Sequence, residues 1–282
     1  MVMKNILLPT DFSKNSINAI GYALEFLKDQ KCQFYILNVQ KASSFITDDM
    51  MVVNSSTTIY KTLINAAKKS INNIVSTINE EFNNKNHQFH SIVDYDNFID
   101  SINQVCKNHD IDLIIMGTKG ASGLEKVLFG SNTVRVMQRC IKPVLAIPHG
   151  CGFKNLDNIA FATTNSKSFK IEELKILRKI ITLNKSSLQI FHLADQNHLV
   201  YDVDDNIDFF DKNFSDLRHE FVETAKDDMF NVVHDYIEKN NIDMLVIMNK
   251  KHSFLERLFT RHAVETFAFK IDIPLLVMQQ SQ

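Results

Sequence analysis

The chain alternates between short apolar runs and longer stretches of helical periodicity. Ile6–Pro9, Phe34–Val39, His90–Val93, Leu113–Met116 and Val144–Ile147 are short runs without an in/out alternation. That pattern suits strands buried on both faces of a parallel sheet. Ile17, Ile20, Leu24 and Leu27 have 3-4-3 spacing, with Ser13 placed as an N-cap. Leu63, Ala67, Ile71, Ile74 and Ile78 continue a longer helix, and Phe98, Ile99, Ile102 and Val105 make a third. A fourth, with Val134 and Met137 on its apolar face, begins near Ser131. Strand–helix alternation of this kind predicts an α/β fold with right-handed crossovers and about five parallel strands flanked by helices.

The same signals then recur in the same order. Lys4–Ser16 (KNILLPTDFSKNS) is echoed at Asp157–Phe169, and Phe34–Val39 at Leu188–Leu193. Asp110–Gly117 is echoed at Asn241–Asn249 with a one-residue slip, and Cys140–Pro148 at Lys270–Met278. The chain therefore reads as a duplicated domain, 1–150 and 151–282, with the boundary near Gly150–Asn155. The second half is shorter between Leu193 and Leu245, a shortfall expected in its second helix and the loop before it. A trimmed surface loop explains this, and so does the loss of a lid over a cleft. The runs Val144–Ile147 and Leu275–Met278 would otherwise be exposed edges, so the two sheets are expected to pack through them. Such pairing imitates a homodimer inside one chain and leaves a further homodimer as an open partner.

Charge narrows the function classes. Lys plus Arg total 31 against 33 for Asp plus Glu, a net charge of −2. That balance argues against a surface that coats nucleic acid or binds an anionic membrane. No apolar run approaches the ~18 residues of a membrane span. The opening Met1–Asp11 meets an acid too early for a secretory leader, and Cys32, Cys106, Cys140 and Cys151 form no CxxC pair. A cytoplasmic protein with reduced thiols is expected.

Glycine use is the informative departure. Of only seven glycines, four (Gly117, Gly120, Gly123 and Gly130) fall within residues 117–130. They follow a buried strand and precede a helix, the place beyond the carboxyl ends of strands where open α/β sheets hold ligands. Gly117 and Gly120 let backbone turn and approach a ligand, Gly130 does so at the start of the helix, and Ser131 adds a hydroxyl beside the helix's free N–H groups. Neither GxxxxGK[ST] nor GxGxxG is present. The spacing is Gly117-x2-Gly120-x9-Gly130-Ser131. A phosphate cradle and a glycine-bearing turn without ligand are the two readings. Lys119 and Lys126 either add charge to the cradle or are simply solvated.

G-x2-G-x9-G-[ST] after a strand of the form D-L-I-x-M resembles the nucleotide-binding signature of the universal stress protein family. Pro9–Ser13 (PTDFS), the segment ending Asn38-Val39 and the KPVLAIP strand are similar to that family too. The resemblance implies two Rossmann-like domains of the adenine nucleotide alpha hydrolase-like type, each a five-stranded parallel sheet flanked by helices. It implies ATP or AMP as ligand, with or without Mg²⁺, and a regulatory role in stress response. By position it implies that Asp11 meets the adenosine moiety, with Pro9 and Thr10 also among the nucleotide-binding positions. Val39 and Met116 would line it, and Gly117, Gly120, Gly130, Ser131 and Asn132 would form the ribose–phosphate loop. It assigns no catalytic residue and no metal site.

The second half departs from the motif. Thr164 stands for Asp11, Asn249 for Gly117, His252 for Gly120, and Thr260-Arg261 for Gly130-Ser131 when small gaps are allowed. Side chains are expected to fill the space where backbone would approach phosphates, so no nucleotide is expected there in the same mode. The basic segment around Lys250, Lys251, Arg257 and Arg261 is either an anion attractor or a solvated loop. There is no HExxH and no G-x-S-x-G, and Cys140 reads as a core thiol. The adenylate-forming relatives of the fold carry a glycine- and serine-rich turn after the first strand. Here that turn is PTDFSKNS, without glycine, so that chemistry is disfavoured, and a binding protein rather than an enzyme is expected, with slow ATP hydrolysis left open. The alternative function is a nucleotide-free scaffold acting through protein contacts.

Overall fold

The computed structural model describes residues 3–40, 53–95, 97–118, 129–164, 169–195, 203–224, 229–249 and 272–280. The first half runs β1 (Asn5–Pro9), α1 (Lys14–Phe26), β2 (Cys32–Val39), α2 (Val53–Phe82), β3 (His87–Asp94), α3 (Phe98–Asn108), β4 (Leu113–Gly117), α4 (Ser131–Arg139) and β5 (Val144–Ile147). The second runs β6 (Asn158–Thr164), α5 (Lys175–Asn184), β7 (Ser187–Asp195), α6 (Val203–Asn213), β8 (Leu217–Thr224), α7 (Met229–Lys239), β9 (Met244–Asn249) and β10 (Leu275–Gln279). The α/β class and the two repeated units agree with the periodicity, and the shortfall lies where expected. α2 spans 30 residues and its counterpart α6 spans 11.

All strands join one sheet in the order β3-β2-β1-β4-β5-β10-β9-β6-β7-β8. Pairing is parallel within each half and antiparallel at the seam, where Leu275, Leu276 and Val277 face Ala146, Leu145 and Val144. The edge strands thus pair by hydrogen bonding, and β5 and β10 each have a neighbour on both sides. Leu145, Ile147, Leu276 and Met278 bury on one face of the sheet, and Val144, Ala146, Leu275 and Val277 on the other. The apolar layers therefore continue from one half into the other. At ~25 cal/mol per Å² of buried apolar area, such a run is a large favourable term.

Two details differ from the periodicity. Ile17 is exposed, and α1 buries Ala19, Ile20, Ala23, Leu24 and Phe26 instead. β3 is an outer strand rather than one buried on both faces, and its pattern is only partly buried. Ser13 does cap α1, its side chain accepting from the Ser16 N–H. Cys32, Cys106 and Cys140 are buried, Cys151 is half-buried, and all four are free. Burial pushes the Cys140 thiol up to about 12, as suits a core thiol rather than a nucleophile.

The repeated Asp of DIDL and NIDM has one job in both halves. Asp112 accepts from the Lys4 and Asn5 N–H groups at 2.8 and 3.3 Å, and Asp243 accepts from the Asn158 N–H at 2.8 Å. Each ties the start of the first strand of its half to the start of the fourth. Asp112 also meets Lys179 of α5 at 3.2 Å, an ion pair between the halves. Burial works to raise the Asp112 pKa, but the Lys4 and Asn5 N–H groups and the Lys179 ammonium outweigh it, so the carboxyl lies below its ordinary value. Asp112→Ala removes an acceptor from two backbone donors and is expected to cost about 2 kcal/mol at neutral pH. Because the folded pKa is lowered, that contribution is present above pH ~4 and fades as pH falls further. Urea titrations of parent and variant at pH 7 and pH 3 check both the size and the convergence.

Candidate functional site

Strand order β2-β1-β4 makes the gap between β1 and β4 the topological switch point of the first half, because the chain leaves β1 toward β2 on one side and reaches β4 on the other. Ile6 pairs with Leu113 and Leu7 with Ile114. Continuing that register brings Pro9 level with Met116 and Thr10 level with Gly117. Pro9, Thr10, Met116 and Gly117 are buried at the carboxyl ends of these strands, and Val39 closes β2 beside them. Asp11, Ser131 and Asn132 are exposed, and Gly130 is half-buried. Gly120, with Lys119 and Lys126, lies outside the described residues, as does the basic stretch 250–271.

Two helix N-termini meet this crevice, and they are finished differently. At α1, Ser13 caps Ser16, the Ser13 N–H donates to Asp11 Oδ1 at 3.1 Å, and Thr10 Oγ1 accepts from the Phe12 N–H at 3.0 Å. Thr10 Oγ1 also lies 2.9 Å from Ser16 Oγ. The α1 terminus thus carries its own carboxylate and hydroxyls. At α4 the N-cap is Gly130, which supplies no side-chain cap. An exposed first turn without a capping side chain leaves N–H donors and the positive end of the helix dipole toward the crevice.

Short bonds hold that turn in place. The Thr118 N–H donates to Ile147 O at 2.9 Å, the Gly130 N–H to Thr118 O at 2.7 Å, and Thr133 Oγ1 to Gly117 O at 3.0 Å. The end of β4 and the start of α4 therefore sit against each other on either side of residues 119–128. On the β2 side, Asn38 is buried and its Nδ2 donates to Thr10 O at 2.8 Å.

Glycine at 117 has a packing reason besides the expected one. A Cβ there would lie 2.5 Å from Asn15 Nδ2, 2.9 Å from Asn15 Cγ and 3.0 Å from Asn15 O. Glycine is needed so that α1 can close on β4, whatever occupies the crevice. Gly130 has φ −64° and ψ 151°, a backbone any residue adopts. What it contributes is a missing side chain. Phe12 has φ +62°, an unfavourable conformation for an aromatic residue, in the turn that presents Asp11. Nothing in the residue type of Phe12, or in the periodicity around Asn15 and Asn38, marks these three positions in the sequence.

The second half repeats the crevice with other contents. Strand register makes Met248, not Asn249, the counterpart of Gly117, since Gly117 pairs with Ile147 as Met248 pairs with Met278. Asn249 stands for Thr118. Its side chain does not fill its own crevice, contrary to expectation, but donates to Met137 O and Gln138 O of α4 at 3.2 and 3.1 Å. His192 occupies the register position of Asn38 and is fully buried. His192 Nε2 lies 3.1 Å from His219 Nδ1, and His219 Nε2 lies 3.1 Å from Asp211 Oδ1. Asp211 Oδ1 accepts a hydrogen bond from His219 Nε2–H, and in the neutral imidazole this leaves His219 Nδ1 as the acceptor for His192 Nε2–H. Burial, with His219 adding to it, pushes His192 down to about 4.

A doubly wound α/β unit, built twice and joined through one continuous sheet, is the class defined by this fold and by the crevice at its switch point. The Universal stress protein family model matches residues 3–148, just over half of the chain, and the chain belongs to that family. Universal stress protein MJ0531 of Methanocaldococcus jannaschii is 28% identical over 146 residues, covering 51% of this chain and 81% of its own. Universal stress protein MJ0577 of the same organism is 26% identical over 156 residues, covering 52% and 96%. Both relatives thus match about half of this chain. A crystal structure of a universal stress protein from Archaeoglobus fulgidus DSM 4304 superposes over 100% of this chain and 98% of its own, with a TM-score of 0.68 at 15% identity. That likeness shows the fold over the full length. Among the described residues, no helix is long and apolar enough to cross a membrane.

Two expectations follow from the geometry. Gly117→Ala forces Asn15 and α1 outward and is expected to lower stability by about 1–3 kcal/mol with no ligand added, measured by chemical denaturation. Burying His192 neutral makes folding progressively less favourable as pH drops below ~6.5, and the loss grows to about 3 kcal/mol near pH 4. His192→Asn, which installs the residue the first half uses at this position, is expected to flatten that loss in melting curves taken from pH 7 to pH 4.

Proposed function

We propose that the first half binds an adenine nucleotide, ATP or AMP, in the crevice between β1 and β4, and that this binding serves a regulatory role in stress response rather than catalysis. The observation that carries the reading is the contrast between the two helix ends. The α1 terminus is satisfied by Ser13, Thr10 and Asp11, whereas the α4 terminus has a glycine N-cap and an exposed first turn. An anion is drawn to α4 and repelled by the carboxylate at α1. Phosphates then lie over Gly130, Ser131 and Asn132, and Asp11 accepts from the hydroxyl groups of the nucleoside. Pro9, Val39 and Met116 give the crevice floor an apolar character suited to a base. Mg²⁺, where present, arrives with the phosphates, since such a site needs few protein ligands.

In this reading the second half, with Met248 and His192 in the positions of Gly117 and Asn38, holds no nucleotide in the same way. Those two substitutions also favour a second reading, a nucleotide-free scaffold in which the family fold supports protein contacts only. Because β5 already has neighbours on both sides, a homodimer would have to use a surface other than the seam.

Ser131→Glu separates the alternatives. A carboxylate on the first turn of α4 suits the helix dipole, so the ligand-free protein is expected to keep its stability or gain about 0.3–1 kcal/mol. The same charge occupies the anion position, so ATP affinity by calorimetry is expected to fall at least tenfold. Asp11→Asn keeps an acceptor for the Ser13 N–H and is expected to weaken affinity about tenfold through its lost charge. Mass spectrometry of small molecules released from freshly purified, denatured protein completes the test. An empty spectrum, no thermal shift with ATP or AMP, and a Ser131→Glu variant indistinguishable from the parent would leave the scaffold standing.

A further inference from the structure

The carboxyl end of α4 is as fully bonded as its amino end is bare. The last carbonyls of a helix have no partner within it. Here Val136 O accepts from the Cys140 N–H at 3.0 Å, and Arg139 O accepts from Asn103 Nδ2 of α3 at 3.3 Å. The two carbonyls between them are met from the other half of the molecule. Asn249 Nδ2 donates to Met137 O and Gln138 O, and Gln279 Nε2 donates to Met137 O at 3.1 Å. Gln279 Oε1 accepts one of the two Asn249 Nδ2 hydrogens at 2.7 Å, and the other is shared between Met137 O and Gln138 O. Asn249 and Gln279 are register partners at the ends of β9 and β10. The antiparallel seam is what brings those strand ends beside the start of β5, where α4 finishes.

We infer that Asn249 and Gln279 are positioning residues for the first-half site: the second half grips the carboxyl end of α4 and thereby sets where the amino end of this nine-residue helix presents N–H donors to the phosphates. This rests on the nucleotide reading above and adds a role for the half that holds no nucleotide. A nine-residue helix is about 13 Å long and moves as a rod, so a shift or loosening at one end is delivered to the other. Phosphate binding by backbone donors depends on position at the level of a fraction of an ångström.

Among the described residues the grip acts in one direction. The counterparts of Asn249 and Gln279 in the first half are Thr118 and Pro148. Proline has no donor, and the Thr118 backbone is already used by Ile147 and Gly130. The first half therefore has no equivalent pair of amides with which to hold the second. The residues that could have built a second crevice at the end of β9 are spent on the first.

The test uses the full chain and two readouts. Asn249→Ala and Asn249→Asp are each compared with the parent by hydrogen exchange of the α4 amides without ligand and by ATP calorimetry. Asn249→Asp cannot donate and sets a negative charge against the negative end of the helix, so its effect should exceed that of the alanine variant. Faster exchange across Val134–Cys140 is expected in both variants, with ATP affinity lowered about threefold in the first and about tenfold in the second. Asn249→Gln, which keeps the amide, should recover part of the loss. Lys179→Ala breaks the Lys179–Asp112 ion pair between the halves without touching α4, and is expected to lower the melting temperature while leaving ATP affinity unchanged. The inference fails if both Asn249 variants exchange and bind as the parent does, or if Lys179→Ala weakens ATP as much as they do. Should the parent bind no adenine nucleotide, the nucleotide reading falls by that result alone. The exchange rates still decide whether the second half holds α4.

Discussion

One antiparallel pairing organises this molecule. A five-stranded parallel unit of this order ends on an inner edge, and two such edges in one chain would be templates for unwanted strand addition. Pairing β5 with β10 removes both at once and merges the apolar layers on each face of the sheet. Antiparallel pairing has a geometric consequence. The carboxyl ends of the first-half strands point one way and those of the second half point the other, so the two switch-point crevices open at opposite ends of the sheet. Neither crevice can be completed by the facing residues of the other. What the seam does bring together is the strand ends of one half and the carboxyl end of a helix of the other.

The two halves also show what glycine is for in this fold. At position 117 the requirement is steric, because a Cβ there would displace the Asn15 side chain and press on the α1 backbone. In the second half the same register position carries Met248, which is buried. A methionine side chain at that point has to be accommodated between strand and helix, so the crevice lined there cannot have the dimensions of the first. The loss of the motif is thus a change in how a helix packs on a sheet, with any effect on a ligand coming second.

Much of this was legible in the sequence because it is local. Apolar runs marked the strands, Ser13 announced the start of α1, and the strand–glycine–helix order around Gly117 and Gly130 pointed to the carboxyl ends of the strands. The repeated Asp112 and Asp243 were visible as a repeat, though not as a tie between strands. Other features depend on residues far apart in the chain. Asn249 meets Met137 across 112 positions, and no periodicity connects them. The equivalence of Met248 with Gly117 needed strand register, since the ends of the repeats can be slid by one residue without disturbing the apolar pattern. Ile17 fitted the helical spacing of α1 and still lies outside the buried face, because an apolar residue at the margin of a stripe can be turned either way by a small rotation. Phe12 takes a left-handed backbone that its type argues against, held by the bonds among Thr10, Asp11 and Ser13 and by packing of its side chain against the core.

Duplication leaves two copies of every element, and the copies here have been spent differently. Asn38 spans from β2 to the Thr10 carbonyl in the first half, whereas His192 at the same position turns to His219 and through it to Asp211. Thr118 gives its backbone to the turn that starts α4, whereas Asn249 gives its side chain to the end of that same helix. In both comparisons the first-half residue serves its own crevice, and the second-half residue makes a contact away from one. Random decay of an unused site would remove polar residues or leave them solvated. It would not place Asn249 and Gln279 within bonding distance of the same carbonyl on the opposite half. A second domain retained for what it holds, rather than for what it binds, accounts for both the missing motif and the new bonds.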